Sequence, residues 1–590
     1  MKARTLKFVL PTLLAALSFP GVSAAQASHG FSGRAAGAKP RVEIAWNRLY
    51  DYDEIHAHLD TLVAAYPQFF SMQVIGRSIE GREMRVYTLS NSATGAHDTK
   101  PAMWVDGNIH GNEVQGSEAV VYIAWYLMEN YGHVPRVTQL VDDSTFYLCP
   151  MLNPDGRASW FRDAHNASSS RSGRQPLDDD GDGLYDEDGP DDLDGDGSIT
   201  QMRKYTPGQG SMRLNPDDPR LLEPVPANDR GIRGDWTMLG SEGIDNDGDG
   251  RLNEDSVGGY DMNRAWPSGW QPDWVQGGAG PYPLYWPETR CIARFWIEHP
   301  NLAGVQSFHN SGGMILRGPG FEAFGEYPRE DVAVYDELGR DGEAMLPYYR
   351  YMIIWKDLYS VFGGSVTYAY EGLGVISFTN ELWSSEQMFG DRADANRGRG
   401  ASHTFDDKLL MGAGFTDWRK HTHPLYGEVE IGGFTKDVGR VPPSFLIEEM
   451  THRNALFAIR HAEALPKVSI AAPTVTDLGG GLRAIDVEFR NERMIPTRTA
   501  RAMQKHIGRP DVFSIEGKGL EVLAGGFRTD RFRPERLDFA EREPATLRSE
   551  RGIGGRSEVR ARWIVRGAGE ATVRWQGEKA RAASVSVRVE

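Results

Sequence analysis

The stretch Val105-Asp106-Gly107-Asn108-Ile109-His110-Gly111-Asn112-Glu113 joins a predicted strand to a predicted helix. The strand, Met103 to Val105, is apolar, and the helix, Glu113 to Tyr131, has apolar residues at helical spacing. Strands and helices alternate from here to a last predicted helix, Phe445 to Ala464, which Pro466 ends. This alternation predicts an α/β fold with helices on both faces of a mixed sheet. The stretch also holds the single His-x-x-Glu of the chain, which alone is weak evidence for a metal site because the chain has 15 histidines.

Four further segments place polar residues at the ends of predicted strands or inside them. They are Asn153-Pro154-Asp155-Gly156, Gly259-Tyr260-Asp261-Met262-Asn263-Arg264, His309 after the apolar strand Gly304 to Phe308, and Ser377-Phe378-Thr379-Asn380-Glu381-Leu382. The last segment puts one acid, Glu381, into a strand with the composition of a buried strand. Because a buried and unpaired carboxylate is costly, we expect Glu381 to have a partner.

In this order, the five segments resemble the zinc carboxypeptidases of the carboxypeptidase A type. The resemblance covers residues 42–465 and includes the flanking segments 75–82 and 426–434. It implies a central mixed sheet of about eight strands flanked by helices. It also implies one catalytic zinc ion.

Carried over by motif, the resemblance implies that His110, Glu113 and His309 are the zinc ligands. Two imidazoles and one carboxylate leave a fourth position open, which is the catalytic rather than the structural arrangement. Asp261 would orient the first histidine through its other ring nitrogen. Glu381 would be the general base that takes a proton from the zinc-activated water and returns it to the leaving amine.

The same resemblance implies the residues that bind the substrate. Asn263 and Arg264 would hold its terminal carboxylate, since a guanidinium fork suits a planar carboxylate. Tyr359 matches, by its spacing, the mobile tyrosine that closes over the substrate and takes part in catalysis. Val366 matches a pocket residue that helps to select the terminal side chain. An apolar residue at this position favours substrates whose C-terminal side chain is neutral or apolar.

The formal charge of −17 is concentrated in two short stretches, with 11 acidic residues between 178 and 196 and 5 between 245 and 255. Asp alternates around glycine in three copies of one loop pattern, at 178–189, 192–203 and 245–256. Oxygen ligands at alternate positions around a turn-forming glycine are the chemistry of calcium loops, and a solvated acidic loop is the alternative. The residues predicted to hold structural calcium are Asp178, Asp180, Asp182 and Asp186, then Asp192, Asp194 and Asp196, then Asp245, Asp247 and Asp249.

These acidic segments interrupt the place where the family has the arginine that stabilises the oxyanion. In the family this arginine follows the Asn-Pro-Asp-Gly motif within about a dozen residues, and this chain instead inserts Asp-rich segments before Asn263-Arg264. Met202-Arg203-Lys204 resembles the usual context of this arginine. We therefore predict that the second acidic loop delivers Arg203 to the site as a catalytic residue, with Arg157, Arg162 and Arg213 as alternatives.

The ends of the chain predict export and an accessory domain. A basic and then apolar N-terminus predicts a signal peptide at 1–25, followed by a linker at 26–41. The catalytic domain is expected at 42–465, with the acidic insertion at about 176–257. A small β-sandwich accessory domain is expected at 466–590, because short alternating apolar segments follow one another there. No other stretch is long and apolar enough for a membrane span, so we expect a periplasmic or extracellular protein.

These features together predict an exported zinc carboxypeptidase that acts on the C-termini of peptides or proteins. The negative charge excludes a general nucleic-acid binder. A hydrolase of cell-wall peptides at a γ-glutamyl bond, with the same zinc site, is the alternative. Deacylases of N-acyl amino acids also use a His-Gly-Asn-Glu motif, but the Asn-Arg pair and Tyr359 fit them less well. A binding module with a dead site is disfavoured because every assigned catalytic position is filled.

Overall fold

The structure is a computed structural model that describes residues 39–226, 231, 233–390, 400–530, 532–533 and 536–590. The predicted signal peptide and residues 26–38 of the predicted linker lie outside these residues. The α-helices of the described residues are α1 (Tyr52–Ala65), α2 (Gln115–Asn130), α3 (Pro135–Asp143), α4 (Pro154–Arg162), α5 (Pro287–Glu298), α6 (Arg329–Met345), α7 (Ser365–Leu373), α8 (Ala401–Phe405), α9 (Ser444–Glu463) and α10 (Ala500–Gln504).

The strands follow the same chain order and fall into four sheets. They are β1 (Phe70–Arg77), β2 (Glu83–Leu89), β3 (Ala102–Gly107), β4 (Thr145–Cys149), β5 (Gln201–Gly210), β6 (Met212–Leu214), β7 (Leu222–Pro224), β8 (Gly234–Ser241), β9 (Leu302–Asn310), β10 (Met314–Arg317), β11 (Arg350–Ile353), β12 (Ile376–Leu382), β13 (Phe415–His423), β14 (Gly427–Phe434), β15 (Val468–Ile470), β16 (Thr474–Gly479), β17 (Leu482–Asn491), β18 (Asp511–Gly517), β19 (Leu520–Phe527), β20 (Asp538–Phe539), β21 (Thr546–Ser549), β22 (Ser557–Gly567), β23 (Gly569–Gln576) and β24 (Ala583–Val589).

The main sheet has eight strands in the order β1-β2-β4-β3-β9-β12-β10-β11. Strands β4, β3, β9 and β12 run parallel to one another, and β1 and β2 pair antiparallel with their neighbours in the sheet. Strand β10 is antiparallel to β12 and parallel to β11. Helices α1, α2, α6 and α9 contribute to the apolar core on one face, and α5 and α7 contribute to the core on the other. The predicted fold, a mixed eight-stranded sheet flanked by helices, is confirmed.

The parallel centre of this sheet brings the ends of three strands to one edge. Every residue of β3 and of β9 is buried, as is typical of strands covered on both faces. Strand β12 pairs in register with β9, and Glu381 lies opposite His309. The chain turns from β3 into α2 at Gly107, where a Cβ atom would lie only 2.5 Å from the carbonyl carbon of Gly116. Glycine at this position therefore lets the strand and helix pack closely enough to bring the His-x-x-Glu segment to the same edge.

A second sheet of six strands, in the order β13-β14-β5-β8-β6-β7, was not predicted from the sequence. Strands β5 to β8 come from the segment that contains the acidic loops, and β13 and β14 follow the strand of Glu381. Antiparallel pairing of β14 with β5 joins these two distant segments. The insertion is therefore part of an ordered sheet as well as a set of acidic loops.

The C-terminal part of the chain forms two further antiparallel sheets. One has the strand order β15-β17-β22-β19-β20, with β16 also paired to β17, and the other has the order β21-β18-β23-β24. Apolar side chains from both sheets, including Phe489, Phe513, Trp563 and Trp575, pack into one core. This is the predicted sandwich of short strands. Both cysteines of the chain, Cys149 and Cys291, are free thiols in the structure.

The C-terminal sheets are tied to the catalytic part by charged contacts. Lys505 Nζ lies 2.6 Å from Glu371 near the end of α7, and Lys467 Nζ lies 2.8 Å from Asp143 at the end of α3. None of the helices in the described ranges combines the length and the apolar character that crossing a membrane requires.

Candidate metal centre and active site

His110, Glu113 and His309 meet at the carboxyl edge of the main sheet. Glu113 Oε1 lies 2.9 Å from His110 Nδ1, and Glu113 Oε2 lies 2.9 Å from His309 Nδ1. The two Nδ1 atoms are 3.3 Å apart. A tetrahedral zinc ion with ligands at about 2.0–2.1 Å places its ligand atoms about 3.3 Å from one another. The three side chains therefore fit a zinc ion with little adjustment, and all three are buried.

Each histidine is oriented by a partner on its other ring nitrogen. His110 Nε2 lies 3.0 Å from Asp261 Oδ1, so its N–H donates to this carboxylate and Nδ1 faces Glu113. His309 Nε2 lies 3.3 Å from Ser307 Oγ, and Ser307 in turn donates to Asp106. The Asp261 contact was predicted from the sequence, and the contact through Ser307 was not.

Both acids next to these histidines are held in the ionised form. Burial alone would raise the pKa of Glu113, but the rings of His110 and His309 outweigh it and hold the pKa well below the usual range. Burial likewise opposes ionisation of Asp261, and Arg264, His110 and Arg171 outweigh it, so that the pKa of Asp261 is also well below the usual range. A carboxylate that stays ionised and two oriented imidazoles form a donor set suited to a divalent cation.

Glu381 lies in the same cavity as the candidate metal ligands. Its pKa is raised to about 7, first by desolvation and then by the negative charge of Glu113. The nearby His309, Arg171 and Arg440 act in the opposite direction and lower this pKa. A carboxylate with a pKa near neutrality can both accept and release a proton under ordinary conditions.

The cavity has a volume of about 490 Å³ and is lined by all four residues predicted to bind substrate. Asn263, Arg264, Tyr359 and Val366 all line it. The Asn263 amide oxygen accepts a hydrogen bond of 2.9 Å from the backbone N–H of Ser365, which leaves the amide NH₂ group as a donor. Asn263 and Arg264, the residues predicted to hold the terminal carboxylate, therefore line the same cavity as the candidate metal ligands.

Tyr359 and Val366 occupy different parts of the cavity. The side chain of Tyr359 is 52% exposed, and a π-helical turn, Ile354–Leu358, precedes it. Val366 is buried and packs with Leu316, Ile354 and Val361 in one apolar cluster. The cavity thus has an apolar wall and one exposed aromatic residue.

The prediction that Arg203 contacts the substrate is wrong. Arg203 is on β5 opposite Glu430 of β14, and its Nε lies 2.8 Å from the Glu430 carboxylate. Its guanidinium carbon lies 4.6 Å from the ring centre of Trp236 and 4.1 Å from that of Trp418. The guanidinium is therefore held within the second sheet, and Arg203 is not among the residues that line the cavity.

Arg171 occupies the place that was predicted for Arg203. Its Nη1 lies 3.0 Å from Glu113 Oε1, and its Nη2 lies 3.1 Å from Asp261 Oδ2. The side chain lines the cavity beside Glu381. Arg171 precedes the first acidic loop in the sequence, a position from which it could have been identified, since an arginine before the insertion keeps closer to the family's spacing than one after it.

None of the three alternatives to Arg203, which were Arg157, Arg162 and Arg213, is among the described residues that line the cavity. Arg157 is fully buried and pairs with Glu118 at 2.7 Å. Arg162 pairs with its neighbour Asp163. A second arginine that the sequence did not indicate, Arg440, does line the cavity.

The first and third acidic loops lie against each other. Asp188 and Asp255 form an antiparallel bridge, and the carboxylate of Asp255 accepts hydrogen bonds of 3.0 Å from the backbone N–H groups of Asp179 and Asp186. Carboxylate oxygens from both loops lie within 4.8 Å of one another. One such group consists of Asp180, Asp249 and Glu254, and another of Asp182, Glu187 and Asp247.

Comparison with known proteins places this site within a known family. The zinc carboxypeptidase family profile matches residues 55–191 and 236–394, just over half of the chain. A domain of unknown function matches residues 467–588.

The individual relatives are matched over shorter segments. Carboxypeptidase B of Astacus astacus is 35% identical over 127 residues, which are 22% of this chain and 40% of that protein. An inactive metallocarboxypeptidase of Saccharomyces cerevisiae is 30% identical over 119 residues, 20% of this chain and 28% of that protein. The chain thus aligns with less than half the length of these curated relatives.

Among solved structures, a carboxypeptidase A from Helicoverpa armigera superposes with a TM-score of 0.42 at 16% identity, over 71% of this chain and 75% of that one. The family profile, which spans all the candidate metal ligands and Glu381, shows that this chain belongs to the zinc carboxypeptidase family.

Proposed function

We propose that the protein is a zinc-dependent metallocarboxypeptidase that hydrolyses the C-terminal peptide bond of peptides or proteins. The observation that supports this most strongly is the convergence of three candidate metal ligands, Glu381 and Arg264 in one cavity. Family membership alone is insufficient, because one similar protein is itself named an inactive metallocarboxypeptidase. In this chain each position assigned to metal binding and proton transfer carries a residue able to perform that role.

His110, Glu113 and His309 would hold the metal, which when bound polarises the scissile carbonyl group and lowers the pKa of water. Arg171 keeps its guanidinium beside this point and is positioned to donate hydrogen bonds to the oxyanion that develops from the carbonyl. Burial alone would lower the pKa of Arg171, but Asp261 and Glu113 outweigh it and hold the pKa above the usual range. Its positive charge is therefore retained at neutral pH.

Glu381 transfers the proton in this scheme. Its carboxylate accepts a proton from the attacking water, and the carboxylic acid then gives that proton to the amine of the departing residue. A pKa near 7 suits both steps, because neither protonation state is strongly favoured. Below that pH the base is increasingly protonated.

Arg264 and Asn263 would bind the terminal carboxylate, and Val366 would contact the terminal side chain. The guanidinium offers paired donors, and the free NH₂ group of the Asn263 amide offers another. Because the wall at Val366 is apolar, we expect a neutral or apolar residue to be released. The exposed Tyr359 would cover the bound residue and reduce its access to water.

The Glu381→Gln variant tests this mechanism. It should retain one zinc ion, measured by elemental analysis, and lose at least about 10³-fold in kcat on an N-blocked dipeptide, since the proton acceptor is removed and the ligands are not. Glu386→Gln, an exposed position five residues further along, is the matched control and should keep full activity. Near-normal turnover in Glu381→Gln would remove Glu381 from the mechanism.

A cell-wall peptide cleaved at a γ-glutamyl bond is the alternative substrate for the same site. Release of a single C-terminal residue from blocked dipeptides, compared with release from muropeptides, separates the two. We expect dipeptides to be cleaved with the higher kcat/KM, and a strong preference for muropeptides would favour the alternative.

We further propose that the acidic loops bind calcium. In support, the carboxylates of Glu254, Asp188 and Asp247 approach within 4.8 Å, although none of them can donate a hydrogen bond when ionised. The two oxygens of Glu254 are buried and have no hydrogen-bond partner among the described residues. Desolvation and the neighbouring Asp188 raise the pKa of Glu254 to about 7. A cation between the loops would relieve this repulsion.

Such a cation would act on the active site through the chain segments that flank the loops. Arg171 precedes the first loop by seven residues, and Asp261 follows the third loop by five. The bridge between Asp188 and Asp255 joins the two loops. Calcium would thus hold the segments of Arg171 and Asp261 together.

Thermal unfolding with and without calcium tests this role. Wild-type protein should unfold at a higher temperature with calcium than after treatment with a calcium-selective chelator, because a ligand that binds only the folded state stabilises it. The double variant Asp182→Asn/Asp247→Asn should lose this response, and the exposed-site control Asp538→Asn should keep it. An unfolding temperature that does not respond to calcium would contradict the proposal.

Export and the domain boundaries are also proposals. The N-terminal signal peptide at 1–25 would direct the protein to the periplasm or the medium, and sequencing the N-terminus of the mature protein would test the cleavage site. The profile match at 467–588 supports a separate C-terminal domain at 466–590, next to a catalytic domain at 42–465. We assign an accessory role to the C-terminal domain.

A further inference from the structure

Five charged side chains form an alternating row across the cavity. Arg264 Nη1 lies 3.7 Å from Asp261 Oδ2, and Asp261 Oδ2 lies 3.1 Å from Arg171 Nη2. Arg171 Nη1 then lies 3.0 Å from Glu113 Oε1, which lies 3.2 Å from Arg440 Nη2. Arg264 and Arg440 are therefore at opposite ends of the row, and the metal ligand Glu113 lies between them.

Arg440 reaches this position from outside the main sheet. It belongs to the segment between β14 and α9, and its Nη2 also donates to the backbone carbonyl of Asn310 at the end of β9. Lys436 anchors the same segment through hydrogen bonds to the carbonyl oxygens of Trp160 and Asp163. The position of the guanidinium is thus fixed by its own hydrogen bond to Asn310 and by the anchoring of its segment at Lys436.

Part of this guanidinium remains available to a ligand. Among the described residues, the Arg440 guanidinium makes its hydrogen bonds through Nη2 alone, so that Nη1 has no protein partner. The side chain is 29% exposed and lines the cavity. A fixed arginine with unused N–H groups in a cavity is well suited to bind a carboxylate.

The net charge of the cavity would also favour the binding of a second anion. The positive charges of Arg171, Arg264 and Arg440 equal in number the negative charges of Glu113 and Glu381, which line the cavity, and of Asp261, which contacts Arg171. The metal ion of the proposed function would add two positive charges, and the terminal carboxylate of a substrate would neutralise one. One positive charge then remains, and Arg440 is the arginine with unused donors at the end of the row away from Arg264.

We propose that Arg440 binds an acidic side chain on the penultimate residue of the substrate, so that peptides with Glu before the released residue are preferred. The inference rests on the proposed function, because it takes the terminal carboxylate to be at Arg264. The peptide then runs from Arg264 across the metal ligands and leaves the cavity past Arg440. Arg440 faces the acyl side of the scissile bond.

Two N-blocked dipeptides that differ only in a penultimate Glu or Gln test the proposal, with the same apolar terminal residue in both. We expect wild-type kcat/KM to be at least about ten-fold higher for the Glu peptide, the usual scale for one charged hydrogen bond. In Arg440→Gln the ratio should fall to about one, and Arg440→Lys should retain part of it. Arg329→Gln, an exposed position at the start of α6, should leave the ratio unchanged.

Binding without turnover gives an independent measurement. In the Glu381→Gln background, calorimetry should show tighter binding of the Glu peptide than of the Gln peptide, and adding Arg440→Gln should abolish this difference. Zinc content is measured in each variant, because Arg440 also contacts Glu113. A general loss of metal would lower activity on both peptides and leave their ratio intact.

A wild-type ratio near one, or an unchanged ratio in Arg440→Gln, would overturn the proposal. The ratio of kcat/KM values measured on wild-type protein tests the proposal even if the Arg440→Gln variant does not fold. If wild-type protein with bound zinc releases no residue from either peptide, the proposed function fails, and the calorimetric difference between the peptides still tests Arg440 by itself.

Discussion

Replacing Arg171 or Arg203 with alanine distinguishes the arginine observed in the cavity from the one that the sequence suggested. Arg171 contacts Glu113 and Asp261 beside the metal ligands, whereas Arg203 pairs with Glu430 in the second sheet. The two variants remove the same functional group from two different places. We therefore expect Arg171→Ala to affect mainly activity and Arg203→Ala to affect mainly stability.

For Arg171→Ala we expect kcat to fall by about 10²–10³-fold, equivalent to about 2.7–4 kcal/mol, the usual loss for one donor to an oxyanion. The ligand contacts of His110 and His309 with Glu113 do not involve Arg171, so zinc should remain bound. For Arg203→Ala we expect kcat to stay within about two-fold. Loss of its ion pair and of its contacts with Trp236 and Trp418 should lower the free energy of unfolding by about 1–3 kcal/mol.

The assay combines steady-state hydrolysis of an N-blocked dipeptide, zinc content, and unfolding in denaturant for both variants. The reasoning would be refuted if Arg203→Ala lost 100-fold or more in kcat with zinc bound while Arg171→Ala remained active. Loss of zinc in Arg171→Ala would instead show that the arginine is needed to hold Glu113.

Three further predictions concern the environment of the site and the stability of the chain. Asp261→Asn should weaken zinc binding by about 10–100-fold in a competition titration with a chelator, because Asp261 orients His110. Burial raises the pKa of Asp511 to about 7, well above the value of about 3.9 in an unfolded chain, so its stabilising contribution is complete below about pH 4 and is lost as the pH rises through 7. Denaturant unfolding should therefore show wild-type stability falling between pH 5 and pH 8 by up to about 2.5 kcal/mol more than in Asp511→Asn. Arg157→Met should lower the free energy of unfolding by about 3–5 kcal/mol, since it leaves Glu118 buried without its cation, and adding Glu118→Gln should restore part of that loss.

The parts of the site that lie on the main sheet could be predicted from the sequence. His110 and Glu113 follow one parallel strand, His309 ends its neighbour, and Glu381 lies in the next. Since the carboxyl ends of parallel strands meet at one edge, the order of the motifs along the chain was enough to bring these residues together. The apolar composition of β9 and β12 made the positions of His309 and Glu381 conspicuous.

The contributions of the second sheet could not be predicted in this way. Pairing of β5 with β14 joins residues more than 220 positions apart, such as Arg203 and Glu430, and nothing in the local sequence of either strand specifies its partner. The context of Arg203 resembled the family's motif, but this long-range pairing turns its guanidinium to Glu430. Arg440 was missed for the same reason, because its segment reaches the cavity only after the sheet has formed.

The most direct test of a zinc carboxypeptidase is mass spectrometry of one peptide offered with a free and with an amidated C-terminus. We predict that zinc-reconstituted protein shortens the free peptide by one C-terminal residue at a time, that the amidated peptide is cut at least about 100-fold more slowly because Arg264 has no carboxylate to bind, and that metal-free protein cuts neither. Internal cleavage, equal rates on the two peptides, or cleavage by metal-free protein would contradict the account.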